Sequence, residues 1–394
     1  MNDTFFSLIL LPTLRCNAAC DYCFENKTDG QLSMAELDII TDRLLDYMAE
    51  KEIGHLSVYW QGGEVMTLSP TWIERACDRM REAAEKRNRE IFHFLQSNMI
   101  GYDRSWNRVI SAVFGNSVGT SFDIPNRHRK VNGGDTEAYD RIWRRNISEA
   151  QDSGIHIGVI AIPNPGTLAL GARRFYSRFV TELGIRDFQI NTPFPGGSSN
   201  AVKQGLPLDN RQLSRFMKEL ADLRMADTEN GPPVCIAPFD GLLDYFTGEA
   251  SETPCIWQDN CANDFICIDP GGNVSQCDCW AASYPAFRFG NILRERRLSH
   301  ILEHSPARQQ FLARPGRLIQ SEDCLSCDYL ALCHGGCPVR AYTTTGTLFA
   351  KDPYCETYQA IFRHMEELAA RIAAKDASAN SFRADGDTGP MRSA

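Results

Sequence analysis

The sequence has no excess of positive charge, since 41 Lys and Arg residues face 50 Asp and Glu residues and the formal net charge is −9. Nucleic acids and anionic membrane surfaces are bound largely through lysine and arginine, so this balance argues against both as partners. No apolar run approaches the length that spans a bilayer, and no charged segment followed by an apolar one marks a secretory signal. We therefore expect a cytoplasmic protein with no nucleic-acid or membrane partner.

The sequence also lacks internal repeats and a nucleotide-binding P-loop, but it is rich in cysteine, with 15 residues. The cytoplasm keeps thiols reduced, so these cysteines indicate metal binding rather than disulfides. Three of them fall within the first 23 residues, and ten fall between residues 255 and 355. This distribution predicts one N-terminal site and a separate cysteine-rich module near the C-terminus.

The N-terminal site has the spacing CxxxCxxC over Cys16, Cys20 and Cys23, with Tyr22 directly before the last cysteine. Three thiolates can hold three irons of a [4Fe–4S] cluster and leave the fourth open, whereas an electron-transfer cluster has four protein ligands. A zinc knuckle is the alternative, although zinc motifs usually consist of CxxC pairs. The spacing resembles the signature of the radical S-adenosylmethionine (SAM) enzymes. That resemblance implies that the open iron binds SAM and that one electron cleaves SAM to a 5′-deoxyadenosyl radical.

Strand-like runs alternate with longer amphipathic segments from residue 5 to about residue 226. This alternation predicts a parallel β/α architecture, and six units predict an open, partial (β/α)6 barrel of the TIM type. The predicted strands are Phe5–Leu11, His55–Trp60, Ile91–Leu95, Ser117–Phe122, His156–Ile162 and Phe188–Asn191. The predicted helices are Met34–Lys51, Thr71–Lys86, Glu137–Asp152, Leu168–Leu183 and Asn210–Met225, followed by a short one over Phe239–Thr247.

Polar motifs follow several predicted strands, where a β/α barrel places its active site. Gly62, Gly63 and Glu64 follow the second strand and resemble the GGE motif of the radical SAM enzymes. The resemblance implies that the glycines admit the SAM methionine to the backbone and that Glu64 offers a nearby negative charge. It also assigns Tyr22, Gln96, Asn98 and Ser121 to the SAM pocket, and ordinary polar residues at strand ends are the alternative for the last three. Ile124 and Pro125 follow Asp123, where the family often has glycine, so the substrate side of the pocket is expected to differ.

The C-terminal cysteines have gaps that resemble those of the SPASM domain, an extension with two auxiliary [4Fe–4S] clusters, and a zinc ribbon is the alternative. The resemblance assigns the first auxiliary cluster to Cys255, Cys261, Cys277 and Cys337. It assigns the second to Cys324, Cys327, Cys333 and Cys355. The remaining thiols, Cys77, Cys235, Cys267 and Cys279, are expected to be buried and inert, with an exchange of Cys267 or Cys279 for a ligand left open.

Three segments follow from these patterns. We expect a radical SAM partial barrel over residues 1–228, a SPASM domain over residues 229–374 and a disordered tail over residues 375–394, which is small, polar and aperiodic.

Over nearly its whole length the chain resembles the anaerobic sulfatase-maturating enzymes, which also have an aspartate at the position of Asp278. The resemblance implies that Asp278 is the general base in the oxidation of a peptidyl Ser or Cys. An ordinary loop aspartate is the alternative. It further implies three [4Fe–4S] clusters, SAM, and an external electron donor such as flavodoxin or ferredoxin.

Three other functions remain open at this point. One is a peptide maturase that forms thioether or carbon–carbon crosslinks, although many of these carry an N-terminal peptide-binding domain for which there is no room before Phe5. Another is a dehydrogenase or epimerase of a small polyol or aminocyclitol. The third is a non-catalytic iron–sulfur carrier, against which the incomplete N-terminal ligand set argues.

Overall fold

A computed structural model describes residues 4–197, 205–227, 233–249, 254–263, 265–281, 283–321 and 323–384. The strands are β1 (Phe5–Thr13), β2 (His55–Gly62), β3 (Glu90–Leu95), β4 (Ser117–Ser121), β5 (His156–Ala161), β6 (Asp187–Ile190), β7 (Cys235–Ala237), β8 (Phe265–Ile268), β9 (Asn273–Ser275) and β10 (Gly290–Asn291). The first eight helices are α1 (Met34–Glu50), α2 (Pro70–Glu85), α3 (Asn107–Val113), α4 (Thr136–Asp152), α5 (Pro165–Leu170), α6 (Ala172–Ser177), α7 (Asn210–Ala226) and α8 (Phe239–Thr247). The later helices are α9 (Asp278–Ala281), α10 (Leu298–His304), α11 (Pro306–Ser321), α12 (Leu330–Cys333), α13 (Pro338–Thr345) and α14 (Cys355–Ala384).

The predicted partial barrel is confirmed, because β1 to β6 are parallel strands whose order in space follows the chain. They form two parallel runs, β8-β1-β2-β3 and β4-β5-β6-β7. A parallel bridge between Gln96 and Gly119 joins the end of β3 to β4. The short strands β7 and β8, which the sequence pattern did not predict, extend the open barrel at its two edges.

The alternation of residues along each strand separates the core from the barrel interior. Leu8, Leu10, Val58 and Trp60 are fully buried, whereas Tyr59 between the last two is 41 % exposed. Because successive side chains in a strand point to opposite faces, the buried set faces the helices and the other set faces inward. The helices present matching apolar stripes, such as that of α1, which begins at a capping box formed by Ser33 and Glu36.

One predicted helix is divided. The segment expected to be helical over Leu168–Leu183 consists of α5, α6 and a π-helical turn over Arg178–Glu182. Gly171, which lies between α5 and α6, has a φ of +83° that an α-helix does not contain. The break therefore has a local backbone cause that the apolar spacing does not reveal.

The C-terminal module is built onto the edge of the barrel. Its strand β8 pairs with β1 in parallel, and β9 and β10 continue this sheet antiparallel. The expected domain boundary at residues 228 and 229 lies within 228–232, outside the described residues. The long helix α14 packs against α7 and α8, so the end of the chain returns to the barrel.

The final helix differs from the expected tail. Helix α14 continues to Ala384, so residues 375–384 are helical, and residues 385–394 lie outside the described part of the chain. Alanine has the highest helix propensity, and this stretch contains alanines at 377, 379 and 384. Its small and polar composition alone did not indicate a helix. No helix among the described residues has the length and apolar character needed to cross a membrane.

Candidate active site

The three N-terminal cysteines line one large cavity at the carboxyl ends of the barrel strands. Cys16, Cys20 and Cys23 lie in the loop after β1 and border a cavity of about 420 Å³. Burial raises the pKa of Cys16 to about 12 and also raises that of Cys23, while the Lys27 ammonium opposes both shifts. Thiols with raised pKa values stay protonated unless a bound metal ion or cluster stabilises their thiolate form. Cys16 and Cys23 are therefore suited to hold such a group.

A second segment of the chain holds this cysteine loop. The Asp21 N–H donates to the His128 carbonyl at 2.9 Å, and the Lys130 ammonium pairs with the Asp21 carboxylate at 2.8 Å. Asn132 donates from its side chain to the Cys16 carbonyl at 2.7 Å. The segment 126–132, called the strap below, thus fixes the loop from the side of β4.

The glycines at the end of β2 are required by the protein's own backbone. A Cβ on Gly63 would lie 2.2 Å from the Arg15 carbonyl oxygen, and one on Gly62, whose φ is +129°, would lie 2.6 Å from that of Thr13. Both contacts are with the chain that enters the cysteine loop. Gly62 and Gly63 therefore bring β2 against that loop, and both line the cavity as well.

Glu64 is held by three hydrogen bonds. Its carboxylate accepts from the Met66 N–H at 2.8 Å, the Ser97 hydroxyl at 2.7 Å and the Asn98 N–H at 2.6 Å. Only 3 % of the residue is exposed, and this burial raises its pKa. Glu64 lines the cavity and joins the ends of β2 and β3, a positioning role beyond the nearby charge expected from the motif.

The structure also brings the other expected SAM residues to the cavity. Gln96 donates to the Ser121 hydroxyl at 3.3 Å, and Asn98 donates to the Asn17 side chain at 2.7 Å. Gln96, Asn98 and Ser121 all line the cavity beside the cysteine loop. They come from the ends of β3 and β4, as expected for a barrel.

Tyr22 belongs to a buried network. Its hydroxyl donates to the Asp123 carboxylate at 2.5 Å, and Arg129 donates to the same carboxylate at 3.0 and 3.2 Å. The Arg129 guanidinium also lies 5.3 Å from the centre of the Tyr22 ring. Sequence reasoning missed Arg129, because a single arginine eight residues after the end of β4 carries no motif.

The C-terminal cysteines gather in two groups. Cys255, Cys261, Cys277 and Cys337 line the same cavity as the N-terminal loop. Burial raises the pKa of Cys255 to about 12 and also raises the pKa of Cys261 and of Cys337. Four thiols around one volume are the donor set of a [4Fe–4S] cluster.

The second group has a small cavity of its own. This cavity, of about 20 Å³, is bordered by Cys324, Cys327, Cys333 and Cys355 together with Asp352. Burial raises the pKa of Cys333 to about 12 and that of Cys355 to about 11. The four thiols again match a tetrathiolate cluster site.

Asp278 lies in the large cavity, directly after Cys277. Its carboxylate accepts hydrogen bonds from Gln61 and from the Cys279 thiol, and burial raises its pKa. Gln61, from the end of β2, was not singled out in the sequence. Asp278 is thus a half-buried acceptor that borders the same cavity as the cysteine loop.

The four remaining cysteines have different surroundings. Cys77 and Cys267 are buried as expected, but Cys235 is exposed because it begins the edge strand β7. Cys279 lines the large cavity, and its sulfur lies within 4.8 Å of the ligand atoms of Cys277 and Asp278. An exchange of Cys279 for Cys277 as a ligand therefore stays open.

Comparison with known proteins agrees with this geometry. The SPASM family, described as an iron–sulfur cluster-binding domain, matches residues 255–328. The chain is 25% identical over 368 residues to the cysteine-type anaerobic sulfatase-maturating enzyme of Clostridium perfringens, covering 91% of this chain and 95% of that protein. It is 21% identical over 401 residues to the serine-type enzyme of Bacteroides thetaiotaomicron, with coverage of 94% and 92%. The solved structure of native anSMEcpe with bound AdoMet and the Kp18Cys peptide matches with a TM-score of 0.76 and 24% identity, covering 94% of this chain and 99% of that one.

An open β/α barrel, a three-cysteine loop at its strand ends and a SPASM match together define a radical SAM enzyme with a SPASM domain. Within this class the chain is similar to the anaerobic sulfatase-maturating enzymes across nearly its whole length. The cofactors of such an enzyme are three [4Fe–4S] clusters and SAM. The three groups of cysteines and the cavity of about 420 Å³ fit them.

Proposed function

We propose that the protein dehydrogenates the Cβ of a peptidyl cysteine or serine, with Asp278 as the proton acceptor. The main observation in support of this proposal is that one cavity is bordered by Asp278, the N-terminal cysteines and the first auxiliary set. The names of the relatives support a cysteinyl or seryl substrate, as does the peptide bound in the similar structure. When bound, the clusters and SAM would supply the radical that removes a hydrogen atom and an acceptor for one electron.

A side chain of the protein then accepts the remaining proton. Oxidation of the CH–OH or CH–SH unit removes one hydrogen atom, one proton and one electron, and gives an aldehyde or thioaldehyde. Asp278 takes the proton from the hydroxyl or thiol, while Gln61 and Cys279 hold its carboxylate. The Phe24 and Phe194 rings, stacked 6.0 Å apart, form part of an apolar wall that limits access of water.

The other assignments complete the proposal. The SAM pocket is formed by seven residues, and their position around the large cavity supports this assignment: Tyr22, Gly62, Gly63, Glu64, Gln96, Asn98 and Ser121. Residues 1–228 act as the SAM barrel and residues 229–374 as the SPASM domain. We further propose a cytoplasmic location and a flavodoxin or ferredoxin as the electron donor.

An Asp278→Asn variant tests the base directly. The full-length protein is reconstituted anaerobically and incubated with SAM, a reductant and a peptide that contains one Cys or Ser. We expect 5′-deoxyadenosine to persist while oxidised peptide, followed by mass spectrometry, falls by roughly 100-fold or more, the range of general base catalysis. The matched control is Asp269→Asn, a buried carboxylate that does not border the large cavity.

Other outcomes would separate the remaining alternatives. Unchanged peptide oxidation by Asp278→Asn would remove the base assignment. A crosslinked peptide would indicate a maturase instead, and absence of 5′-deoxyadenosine in the unaltered protein would rule out radical chemistry altogether.

A further inference from the structure

A buried arginine lies at the boundary between the large cavity and the first auxiliary cysteines. Arg340 borders that cavity, is only 5 % exposed, and follows Cys337 by three residues in α13. Its guanidinium donates to the Tyr358 hydroxyl at 3.0 Å and lies 3.7 Å from the Asp352 carboxylate. Its Nε has no hydrogen-bond partner among the described residues. A charge this deeply buried requires compensation from its surroundings.

The compensation within the chain is shared. The same Asp352 oxygen that faces Arg340 accepts the Cys337 N–H at 3.0 Å and the Tyr358 hydroxyl at 3.3 Å. A second buried arginine, Arg314, donates to three backbone carbonyl oxygens, of Leu348, Gly335 and Ala350. Two guanidinium groups therefore lie near these cysteines, together with the buried carboxylate of Asp352.

Both arginines act on the first auxiliary set. Arg340 borders the same cavity as Cys255, Cys261, Cys277 and Cys337, and it lies one helical turn after Cys337 in α13. Arg314 donates to the Gly335 carbonyl, two residues before Cys337. The expected ligands of this cluster thus lie beside a buried cation.

The second auxiliary set has a different electrostatic environment. Asp323 borders the small cavity and pairs with Lys351 at 2.6 Å. The side chains of this pair are 33% and 73% exposed, so solvent screens them. Asp352 also borders the small cavity, whose described lining includes no arginine. The fixed charges therefore favour extra negative charge at the first set more than at the second.

We propose that Arg340 raises the reduction potential of the cluster held by Cys255, Cys261, Cys277 and Cys337, and so makes it the acceptor of the substrate electron. The inference rests on the proposed function for the source of that electron, which leaves the substrate carbon as its proton leaves to Asp278. A four-thiolate [4Fe–4S] cluster gains one negative charge on reduction, and net charge around a cluster helps to set its potential. A nearby fixed cation stabilises the reduced form.

The test is a redox titration of anaerobically reconstituted full-length protein, followed by electron paramagnetic resonance. In Arg340→Gln we expect the equilibrium constant for reduction of one auxiliary cluster to fall at least tenfold, about 59 mV for one electron. Arg340→Lys keeps the charge and should stay closer to the unaltered protein. The control is Arg87→Gln, which changes a surface arginine paired with Asp42 and Asp46.

The variant Asp352→Asn should shift the reduction potential in the direction opposite to Arg340→Gln. Loss of this carboxylate should raise the potential of the same cluster, whereas damage to packing alone would not shift the two variants in opposite directions. If Arg340→Gln does not take up iron, the Asp352→Asn titration decides: a rise supports the inference and no rise overturns it. An unchanged potential in iron-loaded Arg340→Gln overturns it as well. No substrate is present, so failure of peptide oxidation and failure of this inference are separate results.

Discussion

At the residue scale, the cavity wall depends on buried charges that compensate one another. Asp123 is 1 % exposed and Arg129 is 7 % exposed, and each satisfies the other through two hydrogen bonds. The Ile162 N–H also donates to Asp123 at 2.9 Å, which joins the ends of β4 and β5. The pair thus fixes Tyr22, and with it the cysteine loop, against two strands.

Removal of one partner of this pair should be costly. Asp123→Asn leaves the Arg129 charge buried without a counter-charge, and such changes typically cost about 3 to 5 kcal/mol. We expect a fall of that size in the free energy of unfolding, measured by denaturant titration. Because the penalty comes from the unpaired charge, the double change Asp123→Asn with Arg129→Met should recover part of it. Equal losses in the single and double variants would contradict this explanation.

A buried histidine predicts a dependence of stability on pH. His93 accepts a hydrogen bond at Nδ1 from the Trp60 indole at 3.1 Å, and burial lowers its pKa from 6.5 to about 3. Below pH 6.5 the unfolded chain takes up a proton that the folded protein does not, so stability falls as the pH falls toward 3. The contribution amounts to a loss of about 2 kcal/mol at pH 5.

The measurement compares unfolding free energies at pH 7 and pH 5. His93→Gln, which keeps a hydrogen-bond acceptor but does not titrate, should lose less stability than the unaltered protein across this interval. The control His300→Gln changes an exposed histidine and should follow the unaltered protein. An identical pH dependence in His93→Gln would show that His93 is not the source.

At the scale of elements, the sequence predicted what local periodicity determines. All six barrel strands follow from the alternation of strand-like and helix-like segments, whereas the GGE motif and the grouping of the cysteines came from the resemblance to radical SAM enzymes and the SPASM domain. The strap over 126–132 and the pairing of β8 with β1 were not predictable in this way. They depend on contacts between segments more than 100 residues apart, such as Lys130 with Asp21 and Phe265 with Ser7.

The same limit explains the residues that were missed. Gln61, Arg129 and Arg340 lie at the site because of how elements pack, and none of them belongs to a spacing that repeats. Cys235 is exposed because β7 is an edge strand, a fact that its short apolar surroundings did not indicate. Glu64 shows the converse, since its motif was visible but its three internal hydrogen bonds were not.

At the scale of the whole molecule, the barrel and the C-terminal module share one cavity, while the second auxiliary set stands apart. The large cavity contains the N-terminal cysteines and the first auxiliary set, and the small cavity contains only the second. Asp352 lies between them, because it accepts from the Cys337 N–H and borders the small cavity. This arrangement suggests a route for an electron from the first site to the second and outward.

Removal of each auxiliary site should therefore have a different result. Three clusters correspond to about twelve irons per chain, so either Cys255→Ala with Cys261→Ala or Cys324→Ala with Cys327→Ala should leave about eight. Both double variants should still form 5′-deoxyadenosine, since neither changes the N-terminal loop.

Loss of the first set should abolish peptide oxidation in a single turnover, because the electron acceptor next to the substrate is gone. Loss of the second set should allow one turnover and slow the next, since an electron then has no exit. Iron analysis with rapid-quench detection of oxidised peptide checks this order, and equal single-turnover yields in the two variants would contradict it.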